Sequence, residues 1–192
     1  AAVTAADTIY QIDKLSEGVI LEWFASSWPA ECPVELVMEG IEEDEARTFP
    51  LGTPAAACDY LCIIDPIDGT RNLMYDKRPA WMLSGLARRR EGRGRLADVV
   101  VAVMTELPTR KQWASDQISG VRGCGPQGLV AERIDVRTGD REPLVIRPSE
   151  ASDFRHGFAS LVRFFPEGKG ATARLEESLW DALYGLGKSA SP

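Results

Sequence analysis

A chain of 192 residues with 44% hydrophobic side chains can bury the core of one large domain. Its net charge of −7 speaks against nucleic acid as a partner, because phosphate backbones are held by basic surfaces. No run approaches the roughly 18 consecutive apolar residues of a membrane span, and Ala1 to Asp7 lacks the charged and apolar regions of a signal peptide, so a soluble cytoplasmic protein with no membrane partner is expected.

The chain opens on Ala1 rather than Met and its first clear element starts near Thr8, so the front reads as trimmed. From Leu15 to Trp28, the spacing of Leu15, Val19, Trp23 and Phe24 predicts an amphipathic helix with Glu17 and Glu22 facing away, ended by Pro29. Val34 to Met38 is a short β-prone run that delivers Glu39 and Gly40 to its end, and Glu42 to Glu45 follows as an acidic surface segment. Tyr60 to Ile64 is almost wholly apolar, the pattern of a central strand covered on both faces.

Trp81 to Ala87 and Leu96 to Met104 read as two consecutive strands, the second supported by β-branched Val99, Val100, Val101 and Val103. Between them Arg88, Arg89, Arg90, Arg93 and Arg95, broken by Gly92 and Gly94, read as a solvated hairpin loop. Lys111 to Ser115 and Leu144 to Ile146 are further short strands, separated by glycine-rich turns. Ser149 is suited to cap a turn, Phe158 to Phe165 is an apolar element of undetermined type, and Ala171 to Leu186 forms a closing helix. The four cysteines, Cys32, Cys58, Cys62 and Cys124, lack the spacing of a zinc site and the density of a disulfide scaffold, so reduced thiols are expected. The lone histidine, His156, reads as structural or surface.

The chemistry concentrates in Asp65-Pro66-Ile67-Asp68-Gly69-Thr70. An apolar strand ends in a carboxylate, turns at proline, presents a second carboxylate, and enters a Gly-Thr step suited to a helix start. Two acids and a backbone carbonyl from one turn supply part of the oxygen shell that Mg2+ requires. Amides after Gly69 could hold a phosphate, and Thr70 offers a hydroxyl to a water. The bland alternative is that Asp65 and Asp68 only cap the turn. A second alternative is an aspartyl-phosphate phosphatase, but its two acids stand two residues apart, whereas Asp65 and Asp68 are three apart with proline between.

The segment Ile64 to Thr70 resembles the Asp-Pro-Ile-Asp-Gly-Thr signature of the inositol monophosphatase and fructose-1,6-bisphosphatase superfamily. Asp7 to Asp13 is similar to the family's segment that ends in a metal-proximal aspartate before a long helix, and Leu36-Val37-Met38-Glu39-Gly40 to the strand carrying its first metal-binding glutamate. The resemblance implies an α/β (α+β) fold, a layered α-β-α-β-α sandwich shortened at its C-terminal end, with residues 1–192 forming one incomplete domain. It implies a Mg2+-dependent phosphomonoesterase acting on a small phosphorylated polyol or sugar, of the inositol monophosphate or fructose 1,6-bisphosphate type, through metal-activated water. The alternative is a non-catalytic fragment that binds metal and phosphate, or a partner, without turnover.

Residue by residue, the resemblance implies that Glu39, Asp65 and the Ile67 carbonyl bind one Mg2+, and that Asp65 and Asp68 share a second. Gly69 and Thr70 hold phosphate, Thr70 with Glu39 orients the attacking water, and Asp13 sits in the outer shell or helps a third ion, with Mn2+ as a substitute metal. Where the family shows a second consecutive glutamate this chain has Gly40. Trp180-Asp181-Ala182 invites comparison with the family's late metal-binding aspartate. Yet Leu175, Leu179, Ala182 and Leu183 share a helix face, which leaves Asp181 facing solvent. The sequence thus reads as stopping before the family's late motif, and exposed sheet faces would favour aggregation or a homodimer.

Overall fold

The computed structural model describes residues 2–3, 8–9, 11–41, 47–90, 94–154, 160–161 and 167–185. Backbone contacts divide the chain into two units, Ala1–Ile146 and Arg147–Pro192. The first unit begins with a two-stranded ribbon, β1 (Ala2–Val3) and β2 (Thr8–Ile9), followed by helix α1 (Gln11–Ser27). Then come β3 (Val34–Met38), β4 (Arg47–Phe49), β5 (Tyr60–Asp68), the short helix α2 (Thr70–Met74), β6 (Ala80–Arg88), β7 (Val99–Leu107), β8 (Ala114–Val121), β9 (Leu129–Asp135) and β10 (Arg141–Pro143).

Eight of these strands form one mixed sheet in the order β10-β9-β8-β7-β6-β5-β3-β4. Helices and a mixed sheet make this an α/β fold. From β5 to β10 each strand pairs antiparallel with the next, as short connections allow. The exception is β3, which runs parallel to β5 with Met38 opposite Ile64. That one parallel step matters most for function, since it brings the carboxyl ends of two strands side by side.

The core lies between α1 and one face of this end of the sheet. Val34, Leu36 and Met38 alternate inward along β3 at 0, 2 and 3% exposure, and meet Phe24 of α1, Phe49 of β4, and Cys62 and Ile64 of β5. Burial of each large apolar side chain contributes about 1.5–3 kcal/mol. Phe24 stacks on Trp28, their centroids 4.9 Å apart, so the aromatic end of α1 closes the cluster.

Two expectations from periodicity are corrected. On α1, Leu15, Val19 and Trp23 are exposed while Glu17 is buried, so the helix turns a different side inward than its apolar stripe suggested. Val19 and Trp23 instead edge a cavity of about 630 Å³ whose floor is Met82, Leu86, Val101 and Val103. On β5, Ile63 is 45% exposed beside Val37 at 46%, so the apolar run is covered on one face rather than both. Hydrophobicity alone does not distinguish these cases, because it records which side chains could be buried and not what packs on them.

Among the other elements, the residues 96–98 form a 3-10 turn before β7 rather than the start of that strand, and β8 begins at Ala114. Strand β9 was not foreseen, because glycines flank it and Glu132 and Arg133 dilute its apolar pattern. It pairs with β8 through an Arg133–Asp116 ion pair at 2.8 Å. The last strand is Arg141–Pro143 rather than 144–146, its successor Leu144 donating its N–H to Ala131. In the arginine run, Arg89 pairs with Glu35 and Arg90 with Asp98 at 2.9 Å.

In the second unit, α3 (Lys169–Tyr184) is bounded by Gly168 and Gly185, both left-handed. Its covered side is not the leucine stripe: Leu175, Leu179 and Leu183 are 61, 44 and 49% exposed. Instead Trp180 stacks on Tyr184 and meets Phe154 edge-on, while the Phe154 N–H donates to the Tyr184 hydroxyl. Ser149 accepts the Ala151 N–H, as expected of a turn cap. His156, the Glu42–Glu45 segment, Arg93 and all but two residues of Phe158–Phe165 lie outside the described residues.

Candidate functional site

The candidate site forms where β3 and β5 end together. The Glu39 N–H donates to the Ile64 carbonyl at 3.3 Å, so the parallel pairing continues one residue past β3 and sets Glu39 beside Asp65. Open sheets bind ligands at such carboxyl ends, where the chain leaves the ladder and side chains converge.

Contrary to the expected turn, β5 continues through the Asp-Pro-Ile-Asp motif to Asp68. It does so through a bulge: Asp65 stands opposite Leu83 and Asp68 opposite Trp81, three residues on β5 against two on β6. Pro66 fits there because a bulge excuses it from donating to the ladder. Leu83 and Trp81 lie on one face of β6, so the register assigns both aspartates to one side. The bulge therefore lets the three-residue spacing place both aspartates on one side of the strand, as a shared cation site would need.

Asp65 is the centre of the group. Its Oδ1 accepts the Ile67 N–H at 3.1 Å, the local turn bond that the bland reading requires. Its carboxyl also interacts with the Glu39 side chain and feels the charges of Asp68 and Asp13. Burial first, then repulsion from Asp68 and Asp13, pushes Asp65 above the usual carboxylate range, against the opposing pull of the Ile67 hydrogen bond and the Glu39 side chain.

Thr70 ties in the fourth acid. Its hydroxyl lies 2.7 Å from the Ile67 carbonyl and 3.2 Å from Asp13 Oδ1, donating its one proton to either. Gly69 precedes α2 in a left-handed conformation, φ 96°, which an L side chain adopts only with strain. A Cβ there would meet Ala80 at an ordinary 3.6 Å, so conformation rather than crowding calls for glycine. Asn72 and Leu73 donate to the Gly69 carbonyl, which closes the first turn of α2 on Gly69.

Asp13, Glu39, Asp65 and Asp68 thus interact around Asp65, with Ile67, Gly69 and Thr70 in the connecting turn. Among the described residues no group of three or more acids, thiols or imidazoles is arranged so that it could hold a metal ion. The donor set nevertheless fits a hard divalent cation: it consists of carboxylate and carbonyl oxygens, bears excess negative charge, and contains no sulfur or nitrogen. Asp181 lies exposed on α3 in the second unit.

Sequence reasoning missed Lys14 and Glu17. Lys14 Nζ donates to Glu17 Oε2 at 3.0 Å and to the Gly40 carbonyl at 3.1 Å. The available signal was spacing: Glu17 follows Asp13 by four residues, on the same helix face.

No protein-family model matches the chain, and no curated protein does. Structural neighbours are fructose-1,6-bisphosphatase and inositol monophosphatase chains. Leishmania major fructose-1,6-bisphosphatase in its T-state aligns at 17% identity and a TM-score of 0.48, over 71% of this chain and 41% of that one. A staphylococcal inositol monophosphatase-1 in a LiCl-soaked inhibitory complex aligns at 18% and 0.42, over 64% and 37%. An inositol monophosphatase/NADP phosphatase complexed with Mg2+ and phosphate aligns at 18% and 0.41, over 64% and 37%. The matched region spans about two fifths of the length of these structures. At these TM-scores the functional reading rests on the side chains themselves.

Proposed function

We propose that the chain carries the divalent-cation and phosphate site of a phosphomonoesterase acting on a small phosphorylated polyol or sugar. The observation that supports this reading is that Glu39 is set beside Asp65 at the joint ends of β3 and β5, with Asp68 and Asp13 near enough for their charges to act on Asp65 and Thr70 linked to Asp13. Turn capping accounts for the Ile67–Asp65 bond but not for these other acids.

In this reading Glu39, Asp65, the Ile67 carbonyl and Asp68 hold Mg2+ or Mn2+, in two or three positions, with Asp13 in the outer shell. The metal, when bound, supplies positive charge to the phosphoryl oxygens and lowers the pKa of water. The chain's own residues do the rest. Gly69 and Thr70 present backbone amides to the phosphate. With its proton committed to Asp13 or Ile67, Thr70 Oγ1 accepts a hydrogen from water and aims that water's lone pair at phosphorus. Asp13, accepting from the Thr70 hydroxyl, would make Thr70 Oγ1 a better acceptor for that water and take the proton passed on through it, and Glu39 would orient the same water. No histidine is needed.

The test is release of inorganic phosphate from inositol monophosphate and from fructose 1,6-bisphosphate, with and without Mg2+. Magnesium-dependent release supports the enzyme. No release at saturating Mg2+, with calorimetry still detecting Mg2+ binding, would favour a chain that binds without turnover. A chain that neither hydrolyses nor binds sinks both.

A further inference from the structure

Glu39 is exposed and follows the last residue of its strand; its N–H still pairs with the Ile64 carbonyl, and the turn beyond it leaves the sheet. The Ile41 N–H donates to the Met38 carbonyl at 3.2 Å, closing a tight turn with Glu39 and Gly40 as its central residues. Gly40 has φ 92°, the positive value that a type II turn requires at its third position.

This turn is gripped by α1. The site a Cβ of residue 40 would occupy is taken by the Glu17 carboxylate, whose Cδ lies 2.6 Å from it. Glu17 is 8% exposed, and its Oε2 pairs with Lys14, which also reaches the Gly40 carbonyl. The other oxygen, Oε1, is buried and has no hydrogen-bond partner among the described residues. Leaving a carboxylate oxygen in that state is costly, and Glu17 stands one helical turn from the acidic Asp13. A group retained against both penalties is doing something other than stabilising the helix.

We propose that Lys14 and Glu17 are positioning residues for the metal site: together they latch the Glu39-Gly40 turn onto α1, the helix that also carries Asp13. The latch links two carboxylates from distant parts of the chain to one rigid element, so that Glu39 is held for a divalent cation before one arrives. Gly40 is required because Glu17 fills the space any larger residue would need. The inference rests on the proposed function, and it assigns to α1 a role beyond supplying Asp13.

The experiment compares the wild-type chain with Lys14→Met, Glu17→Gln and Lys14→Arg. Amide hydrogen exchange of residues 39–41 is measured in metal-free protein, together with Mg2+ affinity by calorimetry and thermal midpoints. Lys14→Met and Glu17→Gln should speed exchange at this turn relative to β6 and β7, and weaken Mg2+ binding by about tenfold, the lower end for losing an outer-shell partner. Lys14→Arg, which keeps both donations, should restore both readouts. Unchanged exchange shows that no latch exists. Faster exchange with wild-type Mg2+ affinity shows a merely structural contact and overturns the positioning role while leaving the metal site standing. A wild-type chain that binds no Mg2+ overturns the proposed function and this inference together, an outcome distinct from either.

Discussion

Replacing Asp65 by Asn separates the metal reading from the turn reading, because the two demand different things of the same side chain. Asparagine keeps an oxygen for the Ile67 N–H, 3.1 Å from Asp65 Oδ1, so a residue that only caps the turn would be replaced without consequence. In metal-free protein the change also removes repulsion from Asp68 and Asp13, and stability should hold or rise slightly. Cation binding should respond in the opposite sense. One unit charge at about 4 Å and an effective dielectric constant of about 20 contributes roughly 4 kcal/mol. At about 1.4 kcal/mol per decade, Mg2+ affinity should fall by roughly three orders of magnitude, beyond detection at millimolar Mg2+. Calorimetric titration with Mg2+ and a metal-free urea melt on both proteins give the two quantities. Wild-type Mg2+ affinity in Asp65→Asn, or a loss of metal-free stability above about 2 kcal/mol, would refute the reasoning, since either makes Asp65 a structural residue.

Asp181→Asn should leave Mg2+ affinity within about twofold of wild type in the same titration, less than the 1.4 kcal/mol of one decade; equal losses in Asp65→Asn and Asp181→Asn would reverse the assignment of the exposed α3 aspartate. Gly69→Ala places an L side chain at φ 96° and should destabilise the chain by about 1–2 kcal/mol, lowering the melting midpoint by roughly 2–8 °C, and should reduce phosphate release by more than the unfolded fraction explains. Burial raises the Cys62 thiol to about 11, so thiol reagents at neutral pH should modify exposed Cys124 first and Cys62 last. Because that folded value lies above the ordinary thiol value of 9.0, the stability Cys62 contributes is complete below pH 9 and is lost as pH rises through about 11, which alkaline denaturation of wild type against Cys62→Ala measures.

Local chemistry was legible in the sequence wherever one short segment carried the whole signal. Val34–Met38 announced β3 by its β-prone composition, Gly69 and Thr70 announced the start of α2, and the acids at 39, 65 and 68 stood out because carboxylates at strand ends need a reason. What needed two segments at once could not be read. The apolar stripe of α1 comprised Leu15, Val19, Trp23 and Phe24, but of these only Phe24 is buried and Glu17 is buried with it, since the sheet and not the helix chooses the buried side. The bulge at Pro66-Ile67 depends on the register of β6, and the grip of Lys14 and Glu17 on Gly40 spans 26 and 23 positions of chain. The residues alone determined which groups could bind a cation and a phosphate, because donor chemistry belongs to each side chain. Only the tertiary structure decided which of them meet, because one parallel pairing of β3 with β5 brings Glu39 to Asp65, and no local pattern encodes a neighbour in space.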